Sequence, residues 1–197
     1  MTSHDVVGLI RRATGERRVG HAGTLDPLAR GVLVVGIGRA ATRTLAEVVA
    51  HEKEYVAVVR LGMTSATDDE EGEKSTREVP RVPTREDVER ACKEFVGEIM
   101  QVPPIYSALK IGGKAAYTRA RAGEELKMKA RPILIKEIEV VSYAWPEVCV
   151  RVVTGPGAYI RALARDIGVV LGVGGYLAGL ERTRVGQYRA EDAIRIG

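Results

Sequence analysis

The chain has 197 residues, 45% hydrophobic, 28% charged and 5% aromatic, with a formal net charge of +4; this excludes a disordered chain and fits one domain or a tight two-lobed one. No run of about 20 apolar residues is present to span a membrane as a helix, and the opening residues lack the pattern of a secretory leader. Two distant cysteines, Cys92 and Cys149, and three histidines without ligand spacing, His4, His21 and His51, argue against a disulfide scaffold and a zinc site, so a cytoplasmic protein without a metal is expected.

Thr2 or Ser3 caps a first predicted helix that runs from Asp5 through Arg12 and is broken at Gly15. A loop over Arg17–Arg30 follows. Residues 31–38, Gly-Val-Leu-Val-Val-Gly-Ile-Gly, read as one buried strand, and Arg39–Val49 as a helix with an apolar stripe of Leu45, Val48 and Val49. Tyr55–Leu61 is a second strand. The run Asp68-Asp-Glu-Glu-Gly-Glu reads as a solvated acidic turn, because like charges repel and resist burial. Thr84 with Asp87 makes a capping box for a helix whose predicted stripe is Val88, Ala91, Cys92, Phe95 and Ile99, ending at Pro103-Pro104. A basic excursion with Gly112-Gly113 and a short helical pattern occupies about 104–131. Ile133–Tyr143 and Val148–Thr154 are strands around a turn at Trp145-Pro146, and Gly155-Pro-Gly leads into a helix over Tyr159–Leu171, closed by Gly172. The longest small-and-apolar run, Val169–Leu180, is interrupted by Gly172, Gly174 and Gly175. Helices and strands do not alternate regularly, which predicts an α+β rather than a doubly wound fold.

The net charge conceals a pattern. Residues 1–43 carry +4, 44–103 carry −6, 104–136 carry +6, 137–150 carry −3 and 151–197 carry +3. Three basic blocks that converge in space would make a surface for phosphates, with the acidic middle pointing elsewhere. The cations are mostly arginine, whose planar fork suits phosphate and stacks on bases. The absence of asparagine gives arginine a second explanation, resistance to heat.

Three stretches have the composition of a site. Gly20-His-Ala-Gly-Thr-Leu-Asp-Pro27 places one carboxylate, Asp26, before a proline that holds it extended; such a group serves as nucleophile, base or Asx turn, and on spacing alone the Asx turn is favoured. Gly157-Ala-Tyr-Ile-Arg-Ala-Leu163 sets Tyr159 and Arg161 at a helix start, which favours anions or is simply a helix start with a solvated arginine. Pro103-Pro-Ile-Tyr-Ser-Ala-Leu-Lys110 opens the most basic block with a tyrosine among cations, as in nucleic-acid surfaces, or is only a rigid turn.

Taken in order, G-H-A-G-T-L-D-P followed by R-G-V-L, then P-P-I-Y-S-A-L-K, G-x-Y-I-R-A-L and L-E-R-T-R-V-G, the motifs resemble those of the TruB family of tRNA pseudouridine synthases, from Thr2 to about Asp192. The resemblance implies the pseudouridine synthase fold: a curved, mixed, mainly antiparallel sheet flanked by helices, with a central cleft for RNA. It implies an isomerase, an intramolecular transferase that works without a cofactor on a uridine of the tRNA T-loop (position 55). Asp26 then matches the essential carboxylate, acting as nucleophile at C1′ or in abstraction of the C2′ proton, and Arg161 matches the arginine that pairs with it. Tyr55 matches the tyrosine that stacks on the flipped uracil and whose hydroxyl could take the C5 proton; by position alone it reads as a core residue. His21, Tyr159 and Leu180 match residues lining the uracil pocket or touching the extruded nucleotides. Lys110 and the stretch to Arg131 resemble a thumb that closes on the RNA. tRNA is the implied partner, with no membrane and no obligatory protein partner, and a monomer is expected.

The match departs in three places. The family opens with a strand carrying K-P-x-G-x-T-S, of which Thr2-Ser3 keeps only the tail, so either the start is misassigned or the first strand is missing, which would leave a sheet edge bare. A PUA-type domain commonly follows where this sequence stops, so residues 1–197 read as the catalytic domain alone, with weaker tRNA binding. Ala158 stands where the family has threonine. Two other functions are set against the isomerase. An RNA chaperone using the same cleft is disfavoured by the intact Asp26, Tyr55 and Arg161, and a dyskerin-like subunit of a guide-RNA particle by Tyr106, which matches the stand-alone bacterial pattern.

Overall fold

The computed structural model describes residues 1–196. Its first helix, α1 (Ser3–Thr14), is closed as the sequence predicts: the Thr2 hydroxyl accepts from the Asp5 N–H, the Asp5 carboxylate accepts from the Thr2 N–H, and Gly15 ends the helix at φ 68°. The next segment departs from expectation. The predicted loop and the predicted long strand resolve into three short strands, β1 (Val19–His21), β2 (Ala29–Gly31) and β3 (Val35–Ile37). An extended run cannot continue through Gly31, which sits at φ 103°. Helix α2 (Gly38–Ala50) lays Leu45 and Val48 on a small core with Ala22, Val32 and Val185, whereas Val49 of the predicted stripe is exposed.

Strand β4 (Lys53–Leu61) alternates strictly, burying Lys53, Tyr55, Ala57, Val59 and Leu61 on one side. A short hairpin of β5 (Met63–Ser65) and β6 (Lys74–Thr76) encloses the acidic run. Helix α3 (Arg85–Lys93) keeps the Thr84–Asp87 capping box but stops before Phe95. Ile99 lies instead on β7 (Gly97–Gln101), because Gly97 at φ 112° breaks the helical path. The basic excursion holds a two-residue hairpin, β8 (Lys110–Ile111) and β9 (Lys114–Ala115), and the short α4 (Ala116–Arg121). Then follow β10 (Arg131–Ala144), β11 (Glu147–Thr154), α5 (Ile160–Val170), β12 (Gly175–Val185) and β13 (Tyr188–Arg189).

The main sheet runs β13-β12-β4-β11-β10-β7, with β2 also pairing to β12. All these pairings are antiparallel except β2 with β12, so the sheet is mixed and mainly antiparallel. The fold class is α+β, as the mixed order of elements predicts. Helix α5 covers one face, packing Leu163 and Ile167 against Tyr55, Ala57, Val59 and Leu180. It approaches β12 so closely that a Cβ on Gly168 would lie 2.2 Å from the Gly175 nitrogen. No described helix is long and apolar enough to cross a membrane.

Strand β12 is flanked on both sides. Its side away from β4 is taken by a bridge from Asp69 to Leu177, by β2 along Leu180–Arg182, and by β13 at Arg184–Val185. This edge positions the site, since the Asp68–Asp69 loop and the strand just after Asp26 are both tied to it. The approach of β2 depends on Gly31, where a Cβ would fall 2.2 Å from the Arg182 carbonyl oxygen. Gly31→Ala combines that clash with a left-handed backbone and is expected to destabilise by about 3 kcal/mol, lowering the melting temperature by roughly 5–10 °C in a scanning calorimeter.

The Thr84 N–H and the guanidinium groups of Arg81 and Arg90 hold the Asp87 carboxyl down at about 2. A depressed carboxyl stabilises the fold above its unfolded value of 3.8 and loses that contribution as the pH falls through about 2. Asp87→Asn is therefore expected to lower the melting temperature at pH 7, with the difference from the unsubstituted protein shrinking as pH drops from about 4 toward 2.

Candidate active site

Asp26 sits at the turn into β2, its carbonyl accepting from the Ala29 N–H at 2.9 Å and its side chain about one-third exposed. Arg161 projects from the first turn of α5 and is buried, at 6% side-chain exposure. Its Nε donates to Asp26 Oδ2 at 2.9 Å and its Nη2 to Asp26 Oδ1 at 3.1 Å, a bidentate fork. The remaining donors are also used, Nη2 to the Tyr106 carbonyl at 2.9 Å and Nη1 to the Thr67 carbonyl at 3.2 Å. Nη1 further pairs with Asp69 Oδ2 at 3.3 Å. One residue from each basic block, Asp26, Tyr106 and Arg161, therefore meets here, but so do Thr67 and Asp69 of the acidic block, which was expected to point elsewhere.

The acidic run departs from its predicted role. Asp69 is only 3% exposed. It accepts from Thr67 Oγ1 at 2.5 Å and the Glu71 N–H at 3.0 Å while facing Arg161. Its neighbour Asp68, at φ 61°, pairs with Arg165 Nη1 at 2.8 Å and offers its carbonyl to the Leu177 N–H. Burial pushes the Asp68 carboxyl upward, against the pull of Arg165. Two consecutive aspartates thus meet two arginines one helical turn apart on α5, and charge that repels in isolation becomes one buried ion pair, Asp69 with Arg161, and one half-buried pair, Asp68 with Arg165. A pair of arginines at i, i+4 in a helix whose other charged residue is Asp166 was the available signal.

Tyr55 is 7% exposed and faces Arg182 directly across β4 and β12, with Leu180 and Ala57 the next facing pair. Opposite residues share a face of the sheet, so Tyr55, Leu180 and Arg182 lie together under α5. Burial raises the Tyr55 hydroxyl's proton affinity; the Arg182 guanidinium against it acts in the opposite sense, and Asp26 is near enough to reinforce the rise. Tyr159 caps α5 without a side-chain bond; instead Gln101 clamps its backbone, Oε1 accepting from the Tyr159 N–H at 2.9 Å and Nε2 donating to its carbonyl at 3.1 Å. The Arg131 guanidinium lies 5.5 Å from the Tyr159 ring centre. His21 ends β1 with Nδ1 buried and unpartnered among the described residues, and burial, then Arg182 and His4, depress its proton affinity. Lys110 is exposed on the β8–β9 hairpin and has no ion pair with a described residue, but Tyr106, four residues before it, ties the base of that excursion to Arg161. Arg182, Lys53, Asp69, Arg165 and Gln101 escape a reading by sequence alone.

A model for the TruB family pseudouridylate synthase (N terminal domain) matches residues 11–160, more than half of the chain, including Asp26, Tyr55 and Tyr159. The chain belongs to the TruB family. Among its relatives, tRNA pseudouridine synthase B of Thermobifida fusca (strain YX) is 49% identical over 203 residues, covering 99% of this chain and 69% of the relative. The namesake from Arthrobacter sp. (strain FB24) is 48% identical over 198 residues, covering 98% and 64%. This TruB-family chain thus spans about two thirds of the length of those relatives. A crystal structure of a Cbf5-Nop10-Gar1 complex superposes with a TM-score of 0.73 at 33% identity, covering 96% of this chain and 46% of the other. An H/ACA RNP bound to a substrate RNA containing 2'-deoxyuridine gives 0.70 at 31% identity, covering 96% and 45%. The fold is accordingly that of the pseudouridine synthases.

Proposed function

We propose that this chain is a tRNA pseudouridine synthase that isomerises the uridine at position 55 of the T-loop, with Asp26 as its essential carboxylate. The observation that carries the reading is the Arg161 fork on Asp26, which fixes one carboxylate at a solvent-reachable point near enough to act on the Tyr55 hydroxyl. The reaction breaks C1′–N1, turns the uracil and joins C1′ to C5. Asp26 acts on the ribose, at C1′ or through the C2′ proton, while Tyr55 stacks on the ring and its hydroxyl takes the C5 proton. A base inside a folded loop must first leave its stack at a cost of a few kcal/mol, which contacts with Tyr55, Leu180, Tyr159 and His21 offset. Lys110 and the exposed cations that follow it to Lys129 contact the RNA backbone, so binding weakens as salt rises.

The reading favours a stand-alone enzyme on tRNA, a monomer needing no protein partner. Its support is the higher identity to tRNA pseudouridine synthase B, 49%, than to the Cbf5 complex, 33%. Pseudouridine mapping of a T-stem-loop transcript and of total tRNA after incubation with the purified chain tests it. Conversion of the uridine at position 55 alone, without guide RNA, is expected. Modification elsewhere, or none, refutes it.

A further inference from the structure

Arg161 serves two carboxylates, so Asp26, Asp69 and Arg161 together carry one net negative charge. Two more cations are buried beside them. Arg182 is 2% and Lys53 7% exposed, and among the described residues neither has a carboxylate within ion-pair distance. Both are held by backbone carbonyls instead. Arg182 donates from Nε to the Val32 oxygen at 2.8 Å and from Nη2 to the Gly23 oxygen at 3.1 Å, which lie on either side of the segment carrying Asp26. Lys53 donates from Nζ to the Val49 and His51 oxygens, both at 2.8 Å, at the C-terminal end of α2. A Cβ on Gly23 would lie 3.5 Å from Arg182 Nη1 and 3.9 Å from Lys53 Cε, so the Asp26 loop passes directly over both groups. Arg182 also faces Tyr55 across the strands. A buried cation without a counter-ion is costly, and an apolar side chain of that volume would fill the space without the cost; a role for the charge itself explains its presence.

We propose that Arg182 is a positioning residue for the isomerisation, tying the Asp26 loop to Tyr55 and placing beneath the uracil the positive charge that the ring needs when its glycosidic bond breaks. The inference rests on the isomerase reading above. When C1′–N1 breaks, its electron pair leaves with the ring, while C1′ either bonds to an Asp26 oxygen or becomes a glycal by loss of the C2′ proton. C5 then bonds to C1′ as the Asp26 oxygen leaves C1′, or as Asp26 returns its proton to C2′ of the glycal, and moving the C5 proton to N1 completes the isomer. Between those events the negative charge that Asp26 carried sits on the ring, because the carboxylate has become an ester or has taken the C2′ proton, and Arg182 with Lys53 supplies the preorganised opposing field.

The test compares single-turnover rates on T-stem-loops carrying uridine or 5-fluorouridine as the target nucleotide, labelled with ¹⁴C in its base and followed as loss of the labelled original nucleoside by chromatography of complete nuclease digests. Fluorine withdraws electron density and stabilises the ring anion, so a substrate carrying it depends less on a protein cation. Arg182→Met is expected to slow uridine by ~10²-fold and 5-fluorouridine at least about tenfold less, with tRNA affinity within roughly threefold. Should the Met variant fail to fold, Arg182→Gln, which keeps one donor for the Val32 carbonyl, reads the same selectivity. Equal losses on both substrates, as a purely structural role would give, overturn the proposal, as does a uridine rate near that of the unsubstituted chain. An unsubstituted chain that leaves uridine intact overturns the isomerase reading itself.

Discussion

Asp26→Asn is expected to lower the rate of pseudouridine formation on a T-stem-loop by about 10³-fold or more while tRNA affinity stays within roughly threefold. The substitution preserves shape and removes the charge that acts on the ribose. It also turns one arm of the Arg161 fork into a meeting of two donors, while Arg161 keeps Asp69 and the Thr67 and Tyr106 carbonyls, so the helix start remains in place. With its side chain one-third exposed, the residue adds little to the core, and the melting temperature is expected to move only slightly. Single-turnover kinetics and filter binding on the same preparation separate the two effects. An unaltered rate would remove Asp26 from the mechanism and the proposed function with it.

The pairing behind that prediction was legible in the sequence only through resemblance. Spacing alone offered an Asx turn at Asp26 and an ordinary helix start at Arg161, and no local pattern connects residues 135 positions apart. Helix caps were readable because they are local: Thr2 with Asp5 and Thr84 with Asp87 each complete their bonds within four residues. Where the reading failed, tertiary contacts decided. Ile99 fits a helical stripe equally well as a strand, and only Gly97 in a left-handed conformation sends it to β7. Strand β12 was hidden in a run punctuated by Gly174 and Gly175, which suggests a loop until Gly175 is seen packed against Gly168 of α5. The burial of Asp69 was the largest departure, since a run of five carboxylates around one glycine reads as surface. Its solvation is replaced by Arg161, Thr67 and the Glu71 N–H, none of which a charge count can foresee. Arg182 lay within the quoted L-E-R-T-R-V-G motif, but its role was hidden for a related reason: an arginine among polar neighbours looks exposed unless its acceptors, the carbonyls of Gly23 and Val32, are already in view.

Arg161→Met is expected to damage folding and catalysis by separable routes. Asp69, 3% exposed, would lose its cation and remain a buried charge held only by Thr67 and the Glu71 N–H. Breaking a buried pair from one side costs about 3–5 kcal/mol, which for a chain of this size lowers the melting temperature by roughly 10 °C. Asp26 would lose the fork that sets its orientation, and the rate is expected to fall by at least ~10²-fold. Adding Asp69→Asn to Arg161→Met removes the stranded charge while leaving Asp26 unsupported. The double variant is therefore expected to recover most of the lost melting temperature and none of the lost rate, a coupling that a double-mutant cycle reads directly. Recovery of both would mean that Arg161 acts only by neutralising Asp69. Recovery of neither would mean that the carbonyls of Thr67 and Tyr106, rather than the carboxylates, are what Arg161 holds in place.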